Sequence, residues 1–211
     1  SNINISNYDI ECGATTIFNY GTLNINSGTI SSAGGFSLDN GGTASILGGT
    51  MSGSIALEGS SNLYLSGTPT ISDDIYLITT TAKLYGRNEA STASYTGTKI
   101  GVMCNLAEFT SKQTAVYDGA NTYFSCANPG FSLVTNGSNL DIDMNAPTVS
   151  KSSDISETYN GSANNITVTP SHEASVSYTY QWYNSNGTAI TEATTNTLSL
   201  SLIHISEPTR P

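Results

Sequence analysis

The sequence predicts an all-β chain in which a solenoid of short stacked strands precedes a second, smaller β module. Three observations carry this: a segment that returns after 21 residues, regular alternation of aliphatic with small polar side chains, and a break at Asn145-Ala146-Pro147 beyond which the spacing changes.

The repeat starts without a gap. Gly21-Thr-Leu-Asn-Ile-Asn-Ser-Gly-Thr-Ile30 lies over Gly42-Thr-Ala-Ser-Ile-Leu-Gly-Gly-Thr-Met51. Ser61-Asn-Leu-Tyr-Leu-Ser-Gly-Thr-Pro-Thr-Ile71 is a third copy with one added residue before its last Thr-Ile. Phe36-Ser-Leu38, Ile55-Ala-Leu57 and Ile75-Tyr-Leu77 return in step with it, so a period near 20 is visible at two places in each repeat.

Alternation sends every second side chain of a strand to the same face. The inward set is then aliphatic, as in Leu23 and Ile25, and the outward set is Asn, Ser and Thr. A repeat this short cannot bury an apolar face alone. Coiling stacks Leu23, Ala44, Leu63 and Leu84 (or Ala82) into one column that excludes water. Glycines such as Gly28, Gly48 and Gly49 fall between the alternating segments, where corners need positive φ or close backbone approach.

After Gly86 the repeat fades. Lys99-Ile-Gly-Val102, Tyr123-Phe124 and a hairpin pairing Phe131–Val134 with Leu140–Met144 around Asn136-Gly137 read as a closing coil and cap. The "GTLNINSGTI" rhythm resembles the right-handed β-helix repeats of surface proteins from gut-type Gram-positive bacteria, and the pattern from Leu65 to Ile142 resembles the passage that follows such repeats in those proteins. Beyond Ala146, the series Tyr159-Asn-Gly161, Ile166-Thr-Val168, Tyr180-Gln-Trp-Tyr183, Ile190 and Leu198-Ser-Leu200 resembles a bacterial immunoglobulin-like module, whose central strand often reads "YQWY". That resemblance implies a buried Trp182 and an incomplete sandwich, with no cysteine pair bracketing the Trp. The segment from Leu200 to Pro211 resembles an in-frame translation of a transposase-type sequencing adapter, as expected of a gene assembled from short environmental reads; His204 and Arg210 then carry no function.

The expected organisation is therefore residues 1–145 as a right-handed parallel β-helix (β-solenoid) with its C-terminal cap, 146–199 as a partial immunoglobulin-like β-sandwich, and 200–211 as an adapter-derived tail.

Charge excludes some partners. With 6 Lys plus Arg and a formal net charge of -10, the chain lacks the clustered cations that capture nucleic acid or an anionic bilayer. No apolar run reaches the roughly 18 residues of a spanning helix. Cys12, Cys104 and Cys126 follow no metal-ligand spacing; Cys104 and Cys126 are open to pairing, with buried free thiols the plainer reading.

β-Helices also carry polysaccharide lyases and hydrolases, which need a positioned base or converging carboxylates. The candidates here read otherwise. Arg87 stands beside Glu89 and suits a surface ion pair. Asp73 and Asp74 are adjacent and fit a solvated corner. Asp141 and Asp143 share one face and suit either the outer side of the cap or a calcium site completed by loop oxygens. His172 beside Glu173 reads as solvent-exposed, and the sequons at Asn136, Asn160, Asn165 and Asn186 as chance products of composition. No catalytic, cofactor-binding or metal-binding residue is assigned, and no cofactor or enzyme activity is expected. The expected function is a structural or adhesive segment of a secreted or cell-wall-attached bacterial surface protein, with host or cell-wall glycans or surface proteins as partners. A remnant of a polysaccharide-active β-helix is the alternative.

Overall fold

The computed structural model describes residues 2–89, 93–152, 165–172 and 176–199. The chain separates into two compact units, Ser1–Asn145 and Ala146–Pro211. Every regular element among the described residues is a strand.

The first unit is a parallel β-solenoid. Its first coil gives β1 (Asn2–Ile5), β2 (Tyr8–Cys12) and β3 (Ile17–Asn19); the second gives β4 (Thr22–Ile25), β5 (Gly28–Ser32) and β6 (Leu38–Asn40). The third gives β7 (Thr43–Ile46), β8 (Thr50–Ser52) and β9 (Ile55–Leu57), and the fourth β10 (Asn62–Leu65), β11 (Thr70–Ile71) and β12 (Ile75–Leu77). The fifth keeps β13 (Lys83–Tyr85) and β14 (Ile100–Cys104), the sixth β15 (Gln113–Tyr117) and β16 (Phe124–Cys126). The hairpin of β17 (Phe131–Asn136) and β18 (Asn139–Met144) ends the unit.

Equivalent strands stack into three sheets. The first sheet runs β1-β4-β7-β10-β13-β15 in parallel and is closed by β18 and β17; the second is β2-β5-β8-β11; the third is β3-β6-β9-β12-β14-β16. Antiparallel pairing of β18 with β15, Val116 opposite Leu140, ends the parallel ladder on the first face. The hairpin turns through Gly137 and Ser138, with Asn136 opposite Asn139 and Gly137 at φ +62°, one residue later than the Asn-Gly dipeptide suggests. Glycine at the first turn position is what a tight hairpin favours.

The stacking register is the one the repeat implies. Leu23 pairs with Ala44, Ala44 with Leu63 and Leu63 with Leu84, so Leu84 and not Ala82 continues the column. Ile5, Ile25, Ile46 and Leu65 form a second column on the same sheet. Ile10, Ile30, Met51 and Ile71 form one on the second sheet, and Leu38, Ile55, Ile75 and Val102 one on the third. Nearly all of these side chains are fully buried, and each contributes on the order of 1.5–3 kcal/mol by leaving water. The extra residue of the fourth coil is absorbed in its corner, where Gly67 has φ +66°, because Thr70 and Ile71 still pair with Thr50 and Met51.

Polar side chains also stand at inward positions. Asn19 and Asn40 are buried and stack, Asn19 Nδ2 donating to Asn40 Oδ1 at 2.7 Å and to the Thr43 carbonyl at 3.0 Å. Asn40 Nδ2 donates in turn to the Gly42 and Asn62 carbonyls, both at 3.1 Å. The ladder thus satisfies carbonyls at the corner between the third face and the next coil, where the backbone leaves its own sheet.

The fifth coil departs from the pattern on its second face. No second-sheet strand follows β13 among the described residues, and Tyr95 bridges Gly67 in parallel. Its ring, 1% exposed, fills the interior where a strand residue would stand and packs edge-on against Tyr123 at 5.8 Å. Its hydroxyl donates to the Thr98 carbonyl at 2.6 Å. Asn128 extends the third sheet with a side chain: Cys104 N donates to its Oδ1 at 2.7 Å, and its Nδ2 donates to Cys104 O at 2.9 Å, as a peptide of a further coil would.

The second unit contains one antiparallel sheet in the order β19 (Thr148–Lys151), β20 (Asn165–Ser171), β21 (Thr197–Ser199). Beside it a short hairpin joins Tyr183 to Ala189 around Gly187, φ +76°. Trp182 is half-buried, not in a closed core, and its indole N–H donates to the Thr195 carbonyl at 2.8 Å. Tyr159 and Asn160 lie outside the described residues, as do Gly161 and the tail from Leu200 to Pro211.

Candidate functional site

The outer side of the first sheet carries the densest group of recognition-type side chains. One column of outward positions reads Asn4, Asn24, Ser45, Tyr64, Tyr85, Tyr117 in direct register. Parallel stacking repeats one residue's environment along the axis, so like side chains meet like. Asn24 Nδ2 donates to Asn4 Oδ1 at 2.9 Å, and the rings of Tyr64 and Tyr85 stack at 4.5 Å with planes 10° apart. Tyr117 continues the stack, its centroid 5.2 Å from that of Tyr85 and tilted by 34°.

Cations edge this ladder. Lys83 Nζ lies 5.8 Å from the Tyr117 ring centroid, and the Arg87 guanidinium 5.8 Å from that of Tyr85, distances at which a ring quadrupole attracts a cation. Arg87 pairs with Asp118 at 2.5 Å, not with Glu89. The reason is the coil stacking: Gly86 N donates to the Tyr117 carbonyl at 2.8 Å, which sets Asp118 directly beside Arg87. The Arg87 hydrogen bond holds the Asp118 carboxyl below the usual carboxylate range. Burial, then the neighbouring Tyr85 and Glu89, push the Tyr64 phenol above its ordinary value.

Two hollows adjoin the ladder. Beside Asn4, Asn24 and Ser45 lies a groove of about 580 Å³ also lined by Ser6, Asn26, Leu47, Asn88 and Glu89. Near the cap, a cavity of about 610 Å³ is lined by Tyr95, Tyr123, Phe124 and Ser138 together with the Arg87–Asp118 pair.

The other sequence candidates do not converge here. Asp73 is exposed and Asp74 half-buried at the corner between β11 and β12, and the Asp74 carboxylate lies against Gly101. Asp141 and Asp143 share the outer side of β18. Asp141 accepts from Thr114 Oγ1 at 2.8 Å and Asn136 Nδ2 at 2.7 Å, which ties the cap to β15. His172 is half-buried just after β20, and Glu173 lies outside the described residues. Asp39, on the outer side of β6, was not a sequence candidate. Burial, then Glu58, raise its carboxyl, and its Oδ1 is buried without a partner. No sequence signal marks it, because the third-sheet residues around it are neighbours only through coiling.

All three cysteines are free thiols: Cys12 exposed, Cys126 half-buried, Cys104 buried. Burial pushes the Cys104 thiol up to about 12. At pH 8 only about one Cys104 in ten thousand is then thiolate, the reactive form. A maleimide or disulfide reagent should therefore label Cys12 in the native chain and reach Cys104 only on unfolding. Equal labelling rates for the two would contradict the buried position.

Compared with protein-family models, curated proteins and solved structures, the chain finds no match.

Proposed function

We propose that this chain is a structural and adhesive, non-catalytic segment of a secreted or cell-wall-attached bacterial surface protein, and that it contacts glycans with the outer side of its first sheet. The observation that carries the reading is the in-register ladder of Asn, Ser and Tyr on a rigid parallel sheet. Amide and phenol groups held on strands both hydrogen-bond hydroxyls and offer apolar surface, and a stacked backbone holds them without reorganisation.

A solenoid suits a stalk because each coil adds about 4.8 Å of length and a new row of backbone hydrogen bonds. We read the coil as right-handed, the hand nearly all parallel crossovers adopt. The three antiparallel strands and the Trp182 hairpin of the second unit are compatible with part of an immunoglobulin-like module.

The alternative, a remnant of a polysaccharide-active β-helix, draws on the raised Asp39 carboxyl beside Glu58. A reducing-end assay on a panel of plant and bacterial polysaccharides separates the two. The proposal expects retention of the chain on one or more polysaccharides with no release of new reducing ends. Release that is lost in Asp39→Asn would overturn it.

A further inference from the structure

The second sheet ends at β11, and among the described residues the two coils beyond it carry strands on the first and third faces only. Tyr95 fills part of the interior at this level, and the cavity of about 610 Å³ lies against it. Three separate stretches of chain line it. Arg87, Ser94 and Tyr95 come from between β13 and β14, Asp118 and Ala120 from between β15 and β16, and Ser138 from the turn of the cap hairpin. The volume falls within the roughly 300–1,000 Å³ of small-ligand sites.

We infer that this cavity binds the end of a neutral glycan, with adjacent hydroxyls of its terminal sugar on the Arg87–Asp118 pair. The inference rests on the glycan-contact reading above and gives it one site, at the margin of the first sheet where β13 and β15 end.

The pair has hydrogen-bonding capacity to spare. A guanidinium carries five N–H donors and a carboxylate about four acceptor sites. Arg87 Nε donates to Asp118 Oδ2 at 2.5 Å, and its Nη1 reaches the Asn88 carbonyl only at 3.4 Å. The Ser138 hydroxyl takes one more site on the Asp118 carboxylate. Donors and acceptors therefore remain side by side at the cavity wall. Two neighbouring sugar hydroxyls use both kinds, one accepting from the guanidinium and the other donating to the carboxylate, and the ion pair stays intact.

Both groups are fixed in place by the fold. The Arg87 guanidinium lies 5.8 Å from the Tyr85 ring centroid, and Asp118 N donates to Asn139 Oδ1 at 3.0 Å. Groups held in this way lose little freedom when a ligand arrives.

Charge and polarity select the class. The charged side chains of the lining are one Arg and one Asp, which cancel. A uronate or sulfate gains little from Arg87 with Asp118 beside it, and the formal net charge of -10 repels it. A purely apolar ligand would cover the pair without replacing its bonds to water, which is costly. A neutral sugar meets both demands, its hydroxyls on the pair and its C–H groups on Ala120 and the half-buried Tyr123 of the same lining.

The test exposes the full chain to glucose, galactose, mannose, xylose and N-acetylglucosamine, with galacturonate as the acidic probe, and reads binding by saturation-transfer NMR and calorimetry. The expected result is binding of at least one neutral sugar at about 10 mM or below, with galacturonate weaker. Ala120→Trp, which fills the cavity from an exposed position and keeps the ion pair, should weaken binding about tenfold or more, and so should Asp118→Asn. Tyr8→Ala, on the second sheet, should leave binding unchanged, and matching circular dichroism should show that the variants fold. Absence of neutral binding, galacturonate bound as tightly or more so, or a smaller loss in Ala120→Trp each overturns the inference. Retention on whole polysaccharides is measured in parallel. If the chain and Ala120→Trp are retained equally, the adhesive reading stands and the cavity is wrong; if neither is retained and no sugar binds, both fall.

Discussion

Leu63→Ala lowers the stability of the solenoid by about 3–5 kcal/mol, the upper range for a buried leucine. Leu63 is fully buried and stands in register between Ala44 and Leu84. Ala44 is already the smallest side chain of that column, so removing the isobutyl group opposite it joins two short side chains across one gap. The rungs are tied by backbone ladders on three faces and cannot close inward to fill it. Chemical denaturation monitored by circular dichroism reads the change. A loss under about 1 kcal/mol would mean that the column is not closely packed.

The second large effect is at a corner. Gly49 has φ +83°, and a Cβ there would lie 2.5 Å from the Gly28 carbonyl oxygen of the preceding coil. Gly49→Ala therefore combines left-handed strain with a collision against backbone, which has no rotamer to move to. The expected cost is about 2–4 kcal/mol. Gly137→Ala is the control, because Gly137 has φ +62° and nothing within 4 Å of its Cβ position. It should cost only the conformational part, about 1 kcal/mol. Equal losses at the two sites would show that close stacking at the corner adds nothing.

The solenoid was legible in the sequence wherever the period held. The shift of 21 residues from Leu23 to Ala44 is itself the register, since a parallel coil pairs each residue with its equivalent one repeat later. Legibility failed where a single side chain replaced a strand. Tyr95 fills the second face of the fifth coil, and Asn128 imitates a rung with its amide; neither leaves a periodic trace. The inward Asn19 and Asn40 also escaped alternation, because they serve carbonyls at a corner instead of packing in the core.

For the candidate site, sequence reading reached residue types and not positions. An outward set of Asn, Ser and Thr followed from alternation, but the stack of Tyr64, Tyr85 and Tyr117 requires the register past Gly86, where the repeat fades. Arg87 found Asp118 and not Glu89 for the same reason: the partner lies 31 positions along the chain but one coil away. The acidic pair of the cap was correctly placed on one face, and Asp141 there binds Thr114 and Asn136.

The claim on which the rest depends is that residues far apart in sequence stack rung upon rung. Spin labels at Phe18 and Met103 test it by electron-electron distance measurement. The two positions are outward on the third sheet and linked through Asp39, Ala56 and Tyr76. Four rungs of about 4.8 Å place their backbones about 19 Å apart, so a single narrow distribution near that value is the expected result. A broad distribution, or one centred beyond about 30 Å, would contradict the solenoid.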